Sequence, residues 1–286
     1  MNPPWAPSRQ RRLFAALALW LATATAARAA ELRDAQAVPQ LGPAGVEAYQ
    51  EFLAAAPHRA FVIAPGGIWA WRAEMLSAAA AERAALEECR AHTRQTCVPY
   101  AIDSRVVFDA RAWPRLWGPY ATADAARRAP VGVQRGERFP DIVFRDAAGK
   151  ARKVSDLRGQ VVVLHFWGSW CGPCRRELPD LQKLVRQMAG ARDVRFVFLP
   201  VREPLAVARD WLKTQQLDLP LYDAGGGEQF ALAGGGTLPD RQVAGKFPTT
   251  YVLDKHGLVV FSHIGDASRW VQYAPFLRDA AANSGR

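Results

Sequence analysis

Two cysteines separated by two residues, in Trp170-Cys171-Gly172-Pro173-Cys174, are the groups in this chain best suited to do chemistry. An apolar run, residues 161–167, precedes them and a helix-like stretch follows. At such a strand-to-helix junction two thiols can close a disulfide within one turn. The first sulfur then sits over free helix N–H groups that favour its thiolate. Disulfide exchange is the chemistry this geometry suits; the plainer alternative is a bridge that only stabilises. The other two cysteines are of a different kind. Cys89 falls near the end of an Ala-rich helical stretch, residues 77–91, and Cys97 opens a strand-like segment, so a Cys89–Cys97 bridge would be structural, clipping helix to strand. The gap between them is poor for a zinc site built from all four cysteines, and His58 and His92 are isolated, so no metal is expected.

The elements that must position the motif follow from hydrophobic periodicity. Residues 161–167 are too apolar for an edge and predict a central strand buried on both faces. Residues 177–188 predict an amphipathic helix, and 194–199 a second buried strand, parallel to the first by the crossover rule. A strand at 142–144 and a turn at 147–150 come before this unit; a helix at 205–215 and a short strand at 219–222 come after it. Residues 225–236 are glycine-rich without a phosphate-loop ending and predict a flexible loop. Strands 249–253 and 258–263, joined by Asp254-Lys255-His256-Gly257, form a hairpin before a terminal helix at 268–282.

Upstream, a helix at 46–55, a strand at 60–64, a Gly66-Gly67 turn, the Ala-rich helix and strands near 98–102 and 105–108 predict a small α/β module. Trp69, Trp71, Trp113 and Trp117 are either its core and domain packing or an exposed binding face. It carries no catalytic constellation and reads as an adaptor or spacer. The domains expected are therefore a signal peptide at 1–29, the α/β module at 30–125, a linker at 126–135 within the Ala- and Arg-rich stretch 122–135, and the cysteine-bearing domain at 136–286.

The start of the chain reads as an export signal: Arg9, Arg11 and Arg12 precede an apolar stretch, 13–26, too short to span a bilayer comfortably, and Ala27-Arg28-Ala29 offers a cleavage site. An uncleaved anchor is the alternative, and Arg11-Arg12-Leu13-Phe14 permits a twin-arginine route. The expected product is soluble and extracytoplasmic, in a compartment where disulfides persist. Composition is that of a folded protein, 50% hydrophobic and 22% charged. The formal net charge of +10 falls by four arginines with the signal, and the remaining bases are scattered, which argues against nucleic-acid binding.

Taken together, Leu157-Arg158-Gly159, Phe166-Trp167-Gly168-Ser169-Trp170-Cys171-Gly172-Pro173-Cys174, Glu177-Leu178-Pro179 and Phe247-Pro248-Thr249-Thr250-Tyr251 with Asp254 and Gly257 resemble the exported TlpA/ResA/CcmG-like branch of thiol–disulfide oxidoreductases in the thioredoxin superfamily. The resemblance covers about residues 136–282. It implies a thioredoxin-like α/β fold, a central mixed sheet flanked by helices, and no cofactor beyond the Cys171–Cys174 pair. It implies that Cys171 attacks and Cys174 resolves, that Trp170 shields and docks, and that Pro248 is a cis-proline facing the cysteines, where its neighbour Phe247 meets an extended substrate. Phe247 is bulkier than the Thr or Val common there. Position 165 holds a His where the superfamily places Asp or Asn; it is either a proton acceptor for Cys174 or a satisfied core histidine. Glu177 matches an acid that the family links to the resolving thiol, or is a solvated first-turn Glu. The Gly172-Pro173 spacer resembles that of reductases. A reductase here implies protein disulfide substrates, with apocytochrome c among them, and a membrane electron donor of DsbD or CcdA type. The alternatives are a disulfide oxidant or isomerase, and a redox-silent binding protein.

Overall fold

The computed structural model describes residues 32–267 and 269–285, so the expected signal segment lies outside the described residues. Two compact units emerge. Of the described residues, one comprises 32–64 together with Ile68–His92 and Cys97–Phe108; the other comprises Pro65–Gly67, Thr93–Thr96 and those from Asp109 on.

In the first unit the elements are α1 (Pro43–Ala54), β1 (Ala60–Ala64), β2 (Ile68–Arg72), α2 (Ala78–His92), β3 (Val98–Ile102) and β4 (Arg105–Val106). The sheet is antiparallel in the order β2-β1-β3-β4. Strand β1 lies inside it and is buried along its whole length. Its alternation separates two packing surfaces. Ala60, Val62 and Ala64 share a cluster with Ala81, Ala85 and Cys89, which recur every fourth residue along α2. Phe61 instead meets Tyr49 and Phe52 of α1, with ring centroids 4.9 and 5.6 Å away. A Cys89–Cys97 disulfide ties α2 to the residue before β3. Trp69 stacks on Phe61 at 6.1 Å and Trp71 stands edge-on to Phe52 at 6.5 Å, so both rings pack within this unit while staying partly exposed.

The other two tryptophans belong to the second unit, and they move the division to Phe108/Asp109 from the expected linker. A 3-10 helix, Trp113–Trp117, opens that unit. Trp117 is buried against Phe261 and Phe276, at 5.0 and 4.9 Å, and Arg135 donates to the carbonyls of Leu116, Trp117 and Gly118. The stretch 122–135 is not plain linker either, because Thr122 caps a short helix, α3 (Ala123–Arg128).

The main sheet of this unit contains β7 (Val161–Trp167), β8 (Val194–Pro200), β11 (Thr249–Leu253) and β12 (Val259–Ile264) in the order β12-β11-β7-β8. Strand β7 runs parallel to β8 and antiparallel to β11, and all seven of its residues are buried. Val162, Leu164 and Phe166 point into a core with Phe139, Phe144, Phe230 and Tyr251. By the two-residue period, His165 and Trp167 point to the opposite face. Helix α4 (Gly172–Gln187) joins β7 to β8, and α5 (Leu205–Thr214) follows.

Several expectations are corrected here. A hairpin of β5 (Val143–Arg145) and β6 (Ala151–Lys153) precedes β7. Residues 219–222 make only an isolated parallel bridge, Phe198 with Leu221, because Pro220 has no N–H to extend a ladder. The glycine-rich stretch is no free loop: β9 (Gln229–Ala231) pairs with β10 (Thr237–Pro239), and a single helical turn, α6 (Asp240–Val243), follows. Phe230, 1% exposed, packs on Phe166 at 5.4 Å and anchors that hairpin. The terminal helix is split into a 3-10 turn, Trp270–Tyr273, and α7 (Ala274–Asn283), with Pro275 unable to donate across the junction. Among the described residues no helix is long and apolar enough to cross a membrane.

Candidate active site

The cysteine pair lies where β7 ends and α4 begins. Cys171 is the N-cap of α4, its backbone N–H bonded to the Gly168 carbonyl at 3.1 Å, and the helix starts at Gly172, at the expected strand-to-helix junction. A disulfide joins Cys171 to Cys174, and the Cys174 backbone N–H donates to the Cys171 sulfur at 3.2 Å. Pro173 sits in the first turn, where its missing N–H is no loss. Cys171 is 5% exposed and Cys174 fully buried, so access to the pair is through Cys171. An N–H group aimed at Cys171 and the dipole of the helix behind it favour negative charge on that sulfur.

Trp170 is the exposed flank of the pair, 48% accessible, with its indole N–H held by the Val201 carbonyl at 2.9 Å. That pose requires Gly168: a Cβ there would collide with the indole. Across from it the Phe247–Pro248 peptide is cis, and the Phe247 ring meets Trp170 edge-on at 5.3 Å. Pro248 is buried, and its carbonyl accepts the Gly265 N–H at 2.8 Å.

Beneath the pair the structure brings His165 and Glu177 together. Both side chains are buried, so Glu177 is not the solvated first-turn residue that its position allowed. The register sets His165 opposite Thr250 in β11, and His165 Nδ1 lies 2.9 Å from Thr250 Oγ1. On its other side His165 Nε2 faces Glu177 Oε1 at 3.4 Å, and neither of these two atoms has a hydrogen-bond partner among the described residues. Glu177 Oε2 is fully engaged, accepting the Trp270 indole N–H at 2.9 Å and the Ala267 N–H at 3.0 Å. Burial pushes the Glu177 carboxyl up to about 8, against the opposing pull of those two donors. Burial likewise pushes the His165 imidazolium down to about 3. Both groups are therefore neutral near pH 7. With Oε2 taken up by its two donors, Oε1 is the carboxyl oxygen left facing His165 Nε2.

Trp270, Thr250 and Ala267 complete this buried network, yet sequence reasoning did not single them out. Thr250 could have been found from strand register. Trp270 and Ala267 carry no local signal, since they arrive from about 90 residues away. Among the described residues no cluster of His, Cys, Asp or Glu could hold a metal ion.

Comparison with known proteins gives the family. The Redoxin family model matches residues 134–273. The thiol-disulfide oxidoreductase ResA of Geobacillus thermodenitrificans is 32% identical over 131 residues, 45% of this chain and 68% of that protein. The thioredoxin-like protein YneN of Bacillus subtilis is 29% identical over 154 residues, 54% of this chain and 83% of that protein. A crystal structure of a thiol:disulfide interchange protein of the thioredoxin family from Chlorobium tepidum is 25% identical, covering 50% of this chain and 95% of that one, with a TM-score of 0.37. The class is that of thioredoxin-fold proteins that exchange disulfides on their own cysteines, without a separate cofactor. Within it, the chain belongs to the TlpA/ResA/CcmG-like thiol–disulfide oxidoreductases of the thioredoxin superfamily.

Proposed function

We propose that this protein is a reductase of protein disulfides that cycles Cys171 and Cys174 between dithiol and disulfide in an extracytoplasmic compartment. The observation that carries the reading is the asymmetry of the pair: Cys171 caps a helix N-terminus and keeps a small opening to solvent, whereas Cys174 is sealed. The Cys171 thiolate attacks a substrate disulfide, forming a mixed disulfide and releasing one substrate thiolate, which takes up a proton. Cys174 then loses its proton and attacks the Cys171 sulfur, and the second substrate thiol leaves. Two electrons pass to the substrate and the protein is left oxidised.

Because Cys174 is fully buried, its proton must leave through the interior. Glu177, three residues further along α4, is the acceptor in this reading through its ionised form, a minority near pH 7 that grows as pH rises toward 8, and neutral His165 faces it across the 3.4 Å gap. A carboxyl raised to about 8 is well matched to a thiol of ordinary pKa, about 8.5. Trp170, Phe247 and Pro248 supply the docking surface.

The Gly172-Pro173 spacer supports reduction as the direction. The sequence before residue 30 supports export, as does a buried structural disulfide, Cys89–Cys97, which suits an oxidising space. A reductase there needs a membrane donor of the DsbD or CcdA type, and apocytochrome c is a fitting substrate. Direction is tested by the equilibrium redox potential with glutathione: a reductase lies below roughly −200 mV, whereas a value near about −120 mV would mark an oxidant. Exchange itself is tested by Cys174→Ala, which removes the resolving thiol and should trap substrates as mixed disulfides on Cys171. Recovery of no adducts from the native compartment would count against protein substrates.

A further inference from the structure

Three consecutive residues after β8 touch both walls around the cysteine pair, although no step of the exchange uses them. Val201 accepts the Trp170 indole N–H and itself donates to the Trp167 carbonyl at 2.8 Å. Glu203, 6% exposed, accepts the Ser169 backbone N–H at 2.7 Å and also the Ser169 hydroxyl. Those bonds tie down the residues that lead into Cys171.

Arg202 reaches the opposite way. Its Nε and Nη2 donate to the two carboxylate oxygens of Asp240 at 2.6 and 3.1 Å, and Asp240 is only 2% exposed. The same guanidinium lies over the Phe247 ring, 5.4 Å from its centroid. Phe247 and Trp170 meet edge to face, which closes the circuit from one wall to the other. Arg202 also has φ +59°, a left-handed conformation that glycine adopts without strain and other residues avoid. A long side chain kept at such a backbone position needs a use, and here it makes a bidentate ion pair and a cation–π contact at once.

We propose that Arg202, anchored by Asp240, is a specificity-determining positioning residue: it fixes Phe247, and through it Trp170, as a preformed aromatic wall for the polypeptide flanking a substrate disulfide. The inference rests on the reductase reading above. A wall that is already ordered spares a protein substrate the entropy of ordering it. A small disulfide that reaches Cys171 without lying along the wall draws little benefit from it.

The test is the double variant Arg202→Gly with Asp240→Asn. Glycine suits the backbone, and asparagine leaves no unpaired buried charge. Dithiothreitol-driven reduction of insulin and of hydroxyethyl disulfide is compared with the wild type, with thermal midpoints recorded for both proteins. We expect KM for insulin to rise about fivefold or more, with kcat and the hydroxyethyl disulfide rate each changing less than about twofold. An unchanged KM for insulin, or an equal loss toward both substrates, overturns the proposal. A wild type inert toward both disulfides while still folded sinks the reductase reading, and the inference with it.

Discussion

Glu177 and His165 show what burial does to two ordinary titratable residues. The acid holds its proton up to about 8 in the folded chain, against an ordinary 4.5, so between those values the folded state binds the extra proton. Stability from Glu177 is thus fully present below 4.5 and is lost as pH rises toward 8. His165 acts in the other direction. Its folded value of about 3 lies below the ordinary 6.5, so folding excludes a proton between them and stability falls as pH drops through that window. The two slopes oppose each other where the windows overlap, between 4.5 and 6.5. The groups facing the pair are Thr250 from β11, Trp270 and Tyr273 from the 3-10 turn, and Asp180 and Asp266 from α4 and the loop after β12. The oxidised protein is therefore expected to be most stable across that overlap. Replacing Glu177 with Gln should remove the alkaline decline, up to about 1.4 kcal/mol per pH unit. Thermal midpoints of the two proteins from mildly acidic to mildly alkaline pH decide this, and parallel curves would contradict it.

Among the elements, the hairpin of β9 and β10 is the one that composition misrepresents. Six glycines, Gly225, Gly226, Gly227, Gly234, Gly235 and Gly236, flank its anchor, and all but Gly227 and Gly234 have positive φ, so the backbone turns tightly on either side of a single large side chain. Phe230 supplies that anchor in the core beside Phe166. Truncation to Ala should cost about 3–5 kcal/mol in chemical denaturation, the range for a buried aromatic. A cost near zero would mean that the segment behaves as the free loop its composition suggests. Strands β1 and β7, by contrast, were legible at both ends, because a short apolar run between turn signals leaves little choice of where a buried strand starts and stops. Helix α4 was legible in its amphipathic body by periodicity and at its start by the strand-to-helix junction at the cysteine motif. The residues Gly172-Pro173 belong to the helix because Cys171 caps it, and that capping is a property of three-dimensional placement.

At the scale of the whole molecule, charge is the property that reaches beyond any one site. Of the formal net charge of +10, four arginines lie in the expected signal, and the remaining positive charge would steer acidic partners toward the protein through a field that salt screens. Reduction of an acidic protein disulfide should therefore lose about two- to fivefold in kcat/KM when ionic strength rises from about 20 to 200 mM. Hydroxyethyl disulfide, being uncharged, should show no such dependence; equal salt responses for the two would remove steering from the account. The sequence by itself determined the chemistry and much of the frame: the CxxC spacing, the apolar strand before it and the proline at 248 are all local patterns that restrict a chain wherever they occur. Tertiary structure decided what surrounds that chemistry. It assigned Trp113 and Trp117 to the second unit through their contacts with Phe261 and Phe276. It also set His165 against Glu177, and brought Trp270 and Arg202 to a site tens of residues away. Each of those depends on the register of a sheet or the packing of a loop, which no local pattern encodes, because the free energy that selects them comes from burial shared among distant parts of the chain.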